Sequence, residues 1–452
     1  MSASRLMRLT WLGLMLASAP GLAQVTCPVG GFTWDDGAGA WITGTNWTPV
    51  GPPTSGADVC FSTATANPSL PAGTTTVGSV NVLAAGNLTL TGGALRNFTI
   101  NTGINADGPF AFNNILNVIP AASQTWVLNG TGNVFNSPLS VPVATAATTT
   151  ITATGTGDLT FNNAAPRGFQ AFNWGAGVLS LNANGLGAGT PITLNGANGA
   201  ILIGSAAALG LDNPVTATVS GQLVAVDGNA GVRQSFGLFT IAAGQTVEEL
   251  PGGTNNVQAQ PAGLTLGAGS TLLKQTLGGI YVNGAVTDSA TSTLNLFIGL
   301  ITPTGSQLDE GLHFLTSTTV NSSILSNATG NSAMLGADGA TTLTLAGAVS
   351  LGAGGRLILI PRSGGKIVFS PSAFSAPGNP NDIQLRGTAG NTVEFTNSAV
   401  TANAVTVFDG LTFQTDSNPP PPTVTLSTTP GASWLVRNTA QTLSGSLAMN
   451  AA

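Results

Sequence analysis

Asp309-Glu310-Gly311-Leu312-His313 contains the only histidine of this 452-residue chain, with two carboxylates beside it. It is the one segment where the side chains used for general acid–base chemistry lie close together in sequence. A Ser–His–Asp arrangement would also need a nucleophile on a sharp turn, and no Gly-x-Ser-x-Gly occurs. The lone histidine therefore reads as structural. The other adjacent acids are Asp35-Asp36 and Glu248-Glu249. Neighbours on a strand point to opposite faces, so neither pair is a catalytic dyad by itself. A glycosidase-type pair would have to come from different parts of the fold, for instance Asp212 and Asp227, and nothing in the sequence selects it. Gly185-Leu186-Gly187-Ala188-Gly189 has the composition of a phosphate loop, but no helix follows to offer its N-terminus to an anion. It reads as a turn. Calcium-binding Gly-Gly-x-Gly-x-Asp repeats are missing from the sequence. The sequence predicts no catalytic residue, metal or cofactor.

The elements that would position these residues are short strands. Leu264-Thr265-Leu266-Gly267-Ala268-Gly269 recurs as Val349-Ser350-Leu351-Gly352-Ala353-Gly354, and more loosely as Val80-Asn81-Val82 followed by Leu83 to Leu88. Each copy is a strand of alternating pattern, a turn of small residues and a second strand. From about Thr63 to Gln414, short strands alternate apolar residues with Thr, Ser or Asn, and Gly, Asn or Asp turns separate them. Gly185-Leu186-Gly187…Pro191-Ile192-Thr193 returns as Ala208-Leu209-Gly210…Pro214-Val215-Thr216, so that Ile192 maps onto Val215. The return of the first motif, from Leu264 to Val349, is near four such periods. A period of about 20–30 residues suits one coil of a right-handed parallel β-helix, which buries its inward face only by stacking. Asn at the turns tolerates left-handed backbone, and stacked Asn side chains can hydrogen-bond from coil to coil. Tandem β-sandwiches are the alternative fold, but they need units of about 80–100 residues.

Composition narrows the function. Charged residues make up 6% of the chain, against roughly 25% in average globular domains. Solubility must then come from Thr, Ser, Asn and Gly. The net charge is −6 and no basic cluster is present, so nucleic acid is excluded as a partner. After the leader, no apolar run approaches the roughly 18 residues of a membrane helix.

Residues 1–23 read as a secretory signal: Arg5 and Arg8 precede the apolar run Leu9 to Ala17, and Gly21-Leu22-Ala23 supplies the small residues of a cleavage site. Cys27 and Cys60 then pair most simply with each other. Residues 24–62, with Trp34, Trp41 and Trp47 among Gly and Pro, form a cap that covers the first coil. The same three tryptophans could serve as a glycan-binding platform. The order Trp34-Asp35-Asp36-Gly37, Trp41, Asn46-Trp47, Pro52-Pro53 and Asp58-Val59 resembles the module that opens many bacterial secreted β-helix proteins, including autotransporter passengers and large adhesins. The two cysteines stand outside that pattern.

The coil body is expected over 63–417, a Pro-rich break over 418–422, and a strand-rich tail over 423–452. No outer-membrane barrel fits in that tail, since even the smallest needs about eight spanning strands. The open end of such a stack would recruit other chains. Self-association through it is expected, or else a chain that is the front of a longer gene product. The resemblance implies export through a Sec-type signal and display at a bacterial surface. The expected partners are a host or neighbouring-cell surface, or an extracellular polysaccharide. A polysaccharide-degrading β-helix enzyme is the rival class, and its mark would be three or more carboxylates or bases gathered on one outer face.

Overall fold

A computed structural model describes residues 24–449 except 36, 93–95, 198, 205–206, 230–231, 252–256, 275–277, 297–307, 327–330, 376–382, 397–404, 408–410, 416–422, 427–432 and 437–445. Residues 1–23, where a secretory signal is expected, Asp36 and the expected Pro-rich break at 418–422 lie outside the described residues. Strand accounts for 52% of the chain and helix for 3%, and the coils stack in parallel as a β-solenoid. The chain forms two compact units, Met1–Val224 and Ala225–Ala452.

The first unit has two sheet faces. One is built from Val59–Phe61, Gly73–Val82, Arg96–Ala106, Gln124–Leu128, Thr150–Gly155, Ala171–Gly175, Ile192–Leu194 and Val215–Ala217, each parallel to the next. The other runs through Leu88–Thr91, Phe110–Asn113, Val134–Phe135, Leu159–Phe161, Val178–Leu181 and Ala200–Gly204. Ile192 pairs with Val215, so the repeat that relates these two residues in sequence is one coil. Coils are unequal in length: the one from Trp174 to its partner Leu194 is shorter, and the one from Trp126 to its partner Ala153 is longer. Parallel pairing with such short returns excludes tandem sandwiches, whose sheets are antiparallel.

Inward positions are apolar and outward ones are Thr, Ser or Asn, as in Leu88–Thr91 and Leu159–Phe161. Phe112 packs edge-on against Phe135 at 5.0 Å between ring centroids, and Phe135 stacks on Phe161 at 5.1 Å. The residue after each is an exposed or half-buried Asn. Asn136 Nδ2 donates to Asn113 Oδ1 (2.6 Å), Asn162 Nδ2 to Asn136 Oδ1 (2.7 Å) and Asn182 Nδ2 to Asn162 Oδ1 (2.8 Å). The coil-to-coil asparagine ladder expected from the turns is therefore present. Inside, aromatic area is removed from water; outside, polar groups satisfy one another.

The second unit begins with two faces and gains a third. Thr318–Val320, Thr342–Leu345, Lys366–Phe369, Thr392–Phe395, Thr412–Thr415 and Ser433–Val436 form that third sheet. This changes the meaning of the Leu-x-Leu-Gly-Ala-Gly repeat. Leu264–Leu266 belongs to the sheet of Arg233–Ile241, whereas Val349–Leu351 belongs to the sheet of Ser323–Ser326. The motif marks a corner, and its copies turn different corners, so the distance between them is not a whole number of coils. The stack also runs past residue 417: Thr423–Leu426 pairs in parallel with Val405–Val407, and Ser446–Met449 with Thr423–Leu426. Thr423–Leu426, Ser433–Val436 and Ser446–Met449 thus continue the parallel strand pairing.

In the cap, Phe32–Trp34 pairs antiparallel with Trp47–Thr48 and parallel with Val59–Phe61. Cys27 and Cys60 are joined by a disulfide. Closing a loop of that size stabilises by roughly 3–4 kcal/mol on the chain-entropy model. Reduction should therefore raise hydrogen exchange in Phe32–Trp34 and Val59–Phe61 while leaving Thr150–Gly155 protected, because each coil leans only on its neighbours. Uniform loss along the unit would contradict this.

Candidate functional site

The three tryptophans do not form a sugar platform. Trp34, Trp41 and Trp47 are buried. Trp47 packs edge-on against Trp34 at 4.9 Å and Trp41 at 4.8 Å, and its Nε1–H donates to the Trp41 carbonyl at 2.8 Å. Stacking on a pyranose needs an open indole face, and these faces are used on each other.

The acids that looked scattered in sequence have specific work in the coils. Asp58 Oδ1 accepts from the Ser79 N–H and hydroxyl, and Asp158 Oδ1 from the Gly132 N–H. Asp288 binds the N–H groups of Asn321 and Ser322. Each carboxylate holds backbone donors of a neighbouring coil. Asp212 does the same to the Gly189 N–H at 2.9 Å, so a carboxylate already occupies the donor of the loop that resembled a phosphate site. Asp227 caps its own turn through the Gly228 N–H. Asp35 accepts from the Thr48 hydroxyl, and Glu248 and Glu249 lie on opposite faces, Glu249 being the buried one.

The His313 segment is different, because folding gathers four more polar residues around it. Tyr281, His313 and Gly336 are successive register partners on Ile280–Val282, Leu312–Phe314 and Ser332–Asp338. Asp338 lies two residues beyond Gly336, on the same face, and pairs with Arg362 on Arg356–Arg362. Tyr281 and His313 stack at 4.6 Å with 9° between planes, and the Arg233 guanidinium sits 4.0 Å over the tyrosine ring. A Cβ on Gly336 would lie 2.1 Å from His313 Nδ1, so only glycine lets the ring occupy that row.

Arg362 holds the group together. Its Nε donates to Asp338 Oδ1 (2.7 Å), Nη2 to Asp338 Oδ2 (3.1 Å) and to the Tyr281 hydroxyl (3.1 Å), and Nη1 to Asp309 Oδ1 (2.6 Å). The Tyr281 hydroxyl itself donates to Asp309 Oδ1 at 2.8 Å. His313 Nδ1 lies 3.1 Å from Asp338 Oδ2. Nδ1 also lies 3.1 Å from Arg362 Nη2, which only donates, whereas the carboxylate only accepts; with no acceptor beside the buried Nε2, the ring is best satisfied with its proton on Nδ1, toward Asp338. Nε2 is then the unprotonated nitrogen, buried without a partner. Protonating it would place an unsatisfied N–H in the interior, and burial accordingly lowers the His313 pKa. Burial alone would raise Asp338, but the hydrogen bonds from His313 and Arg362 outweigh it and hold the carboxyl at about 2. Burial raises the Tyr281 hydroxyl further. Burial works against the Arg362 charge, but the hydrogen bonds to its two aspartates outweigh it, so its pKa rises.

The signs predict acid sensitivity. His313 stays neutral when folded but gains a proton when unfolded, so its contribution is lost as pH falls through about 6.5. The Asp338 contribution, about 2 kcal/mol, is present above the ordinary carboxylate pKa and lost as pH falls from 3.8 toward 2. Hydrogen exchange in Leu312–Phe314 and Ser332–Asp338 should accelerate first on acidification. Flat protection from pH 7 to 3 would contradict the assignment.

Chemically, the network is close to saturated: four of the five guanidinium N–H bonds have acceptors, and both carboxylates are engaged. Asp309, Asp338 and Arg362 keep 28%, 14% and 19% of their side-chain surface exposed, so solvent reaches the charged rim and not the imidazole. The charge of Glu310 acts on Lys274, and that of Asp309 on Glu310. Sequence reasoning picked out Asp309, Glu310 and His313 but missed Tyr281, Asp338, Arg362 and Arg233. The available signal was spacing: Asp338 and Arg362 are one coil apart. Among the described residues, no helix is long and apolar enough to cross a membrane. Comparison of the chain with protein-family models, with curated proteins and with solved structures finds no match.

Proposed function

We propose that this chain is an exported, surface-displayed β-solenoid whose role is structural and adhesive, in the manner of the autotransporter-like proteins its cap resembles. The observation that carries this is the Asn113–Asn136–Asn162–Asn182 ladder on a chain of only 6% charged residues. A ladder of fixed amides in register offers many weak, identical hydrogen-bonding sites. Such sites suit a repetitive polymer: affinity from one amide is small, and multivalency multiplies it. The partner is accordingly a cell-surface or extracellular polysaccharide. Beads coated with the mature chain should be retained on immobilised cell-surface polysaccharide. Asn136→Lys together with Asn162→Lys, both at exposed positions, should reduce retention at least tenfold with the circular dichroism spectrum unchanged. Equal retention by the double variant would overturn the reading.

A second reading rests on the Asp309–His313–Asp338–Arg362 network, which places two carboxylates and two bases on one face. That is the mark set for a polysaccharide-degrading enzyme. Its test is release of reducing or unsaturated sugar ends from a polysaccharide panel, abolished by Asp338→Asn. The saturation of Arg362 and the burial of His313 Nε2 favour the adhesive role.

A further inference from the structure

The interior of the second unit holds an acid and a base with no part in the outer network. Glu249 on Thr246–Pro251 and Lys274 on Thr271–Lys274 are register partners on adjacent parallel strands. Both side chains are fully buried, on the face shared by Val247, Leu272 and, one coil on, Leu296. Adjacent strands lie about 4.8 Å apart, so the two side chains leave the backbone side by side. Both carboxyl oxygens of Glu249 are buried without a hydrogen-bond partner, as is Oε2 of Glu310, whose charge acts on Lys274. An ionised carboxylate stripped of water and of every donor is costly. Burial pushes the Glu249 carboxyl up to about 8. Burial also brings Lys274 down to about 8, against the pull of Glu249 and Glu310. At neutral pH the acid is therefore largely protonated, and a minor share of the amine beside it is neutral.

We propose that Lys274 and Glu249 are joined by an intramolecular isopeptide bond that staples two adjacent coils. The Lys274 Nζ lone pair attacks Cδ of the protonated Glu249 carboxyl. The Nζ–Cδ bond forms, the Cδ–OH bond breaks, and the hydroxyl leaves with one amine proton as water. Nothing is oxidised or reduced and no co-reactant is needed. Glu310, a buried carboxyl whose charge acts on Lys274, is the group that would relay the proton from nitrogen to the departing hydroxyl. In water such a condensation is held back by ionisation of both groups and by the need to bring them together. Here desolvation lowers the first obstacle, and strand register lowers the second by holding the two side chains on adjacent strands. The product is a neutral amide in place of two desolvated ionisable groups. It closes the chain from Glu249 to Lys274 covalently, so pulling forces cannot separate these two coils.

Mass spectrometry of the full-length wild-type chain, reduced and denatured, tests this directly. The expected mass is lower than that of the sequence by one water, about 18 Da. Trypsin has no site between Arg233 and Lys274, nor between Lys274 and Arg356. A modified Lys274 resists cleavage, so the peptide 234–356 should appear about 18 Da light, with fragment ions placing the link between Glu249 and Lys274. A peptide 234–274 of full sequence mass would overturn the proposal, and so would fragment ions placing the link on Glu310. Wild-type protein carries both readouts, so no variant needs to fold.

Discussion

Arg362→Leu should destabilise the unit Ala225–Ala452 by about 3–5 kcal/mol, the range for removing one partner of a buried ion pair. The guanidinium binds Asp338 twice, Asp309 once and the Tyr281 hydroxyl once. Without it, two partly buried carboxylates face each other's field with only Tyr281 and His313 as donors. The loss is therefore mainly uncompensated charge rather than lost packing. That cause has a signature: adding Asp338→Asn to Arg362→Leu should recover part of the stability, because one orphaned charge goes with it. Urea denaturation of the single and double variants measures this. A single-variant loss below about 1 kcal/mol would place the network with surface ion pairs, whose worth is of that order.

The same residues show how much of this molecule was legible in its sequence. The coil period was readable because a strand repeats its inward pattern at fixed spacing, and the pairing of Ile192 with Val215 follows the sequence repeat directly. The disulfide was readable because the chain has only two cysteines, and Cys27 and Cys60 are joined. The Leu-x-Leu-Gly-Ala-Gly motif misled because it encodes a local event, a corner between two short strands. A corner has the same chemistry on any face, so Leu264 and Val349 could share a motif and lie in different sheets.

The candidate site was harder for the opposite reason. Its members are set by stacking, not by local pattern. Tyr281, His313 and Gly336 are ordinary strand residues until register places them in one row. Coil lengths here are irregular, the step from Tyr281 to His313 being longer than the step from His313 to Gly336. A fixed period would not have aligned them. Gly336 is the most informative case: nothing in the sequence distinguishes it from other glycines, yet its missing Cβ is what admits the imidazole. The tryptophans failed as a glycan platform because aromatic clusters near a chain's start serve two ends with one composition. Burial decides between them, and burial depends on whether Phe61 and Phe98 of the first coils come up beneath.

Trp47→Ala turns that distinction into a measurement. The indole is fully buried, touches Trp34, Trp41 and Phe61, and donates its Nε1–H to the Trp41 carbonyl. Its removal takes away a large apolar surface, opens a cavity among side chains that cannot all collapse into it, and leaves that carbonyl without its indole donor. The expected cost is about 3–5 kcal/mol. Trp47→Phe should cost less, since most of the volume stays and only the indole hydrogen bond is lost. Because each coil contacts only its neighbours, the damage should stay near the cap. Hydrogen exchange should rise through Phe32–Trp34 and Val59–Phe61 while Thr150–Gly155 and Ala171–Gly175 keep their protection. A surface platform predicts the reverse: ligand binding lost, stability and exchange unchanged. The two outcomes differ by several kcal/mol, so a single denaturation curve separates an aromatic plug that ends a stack from an aromatic face that reads a sugar.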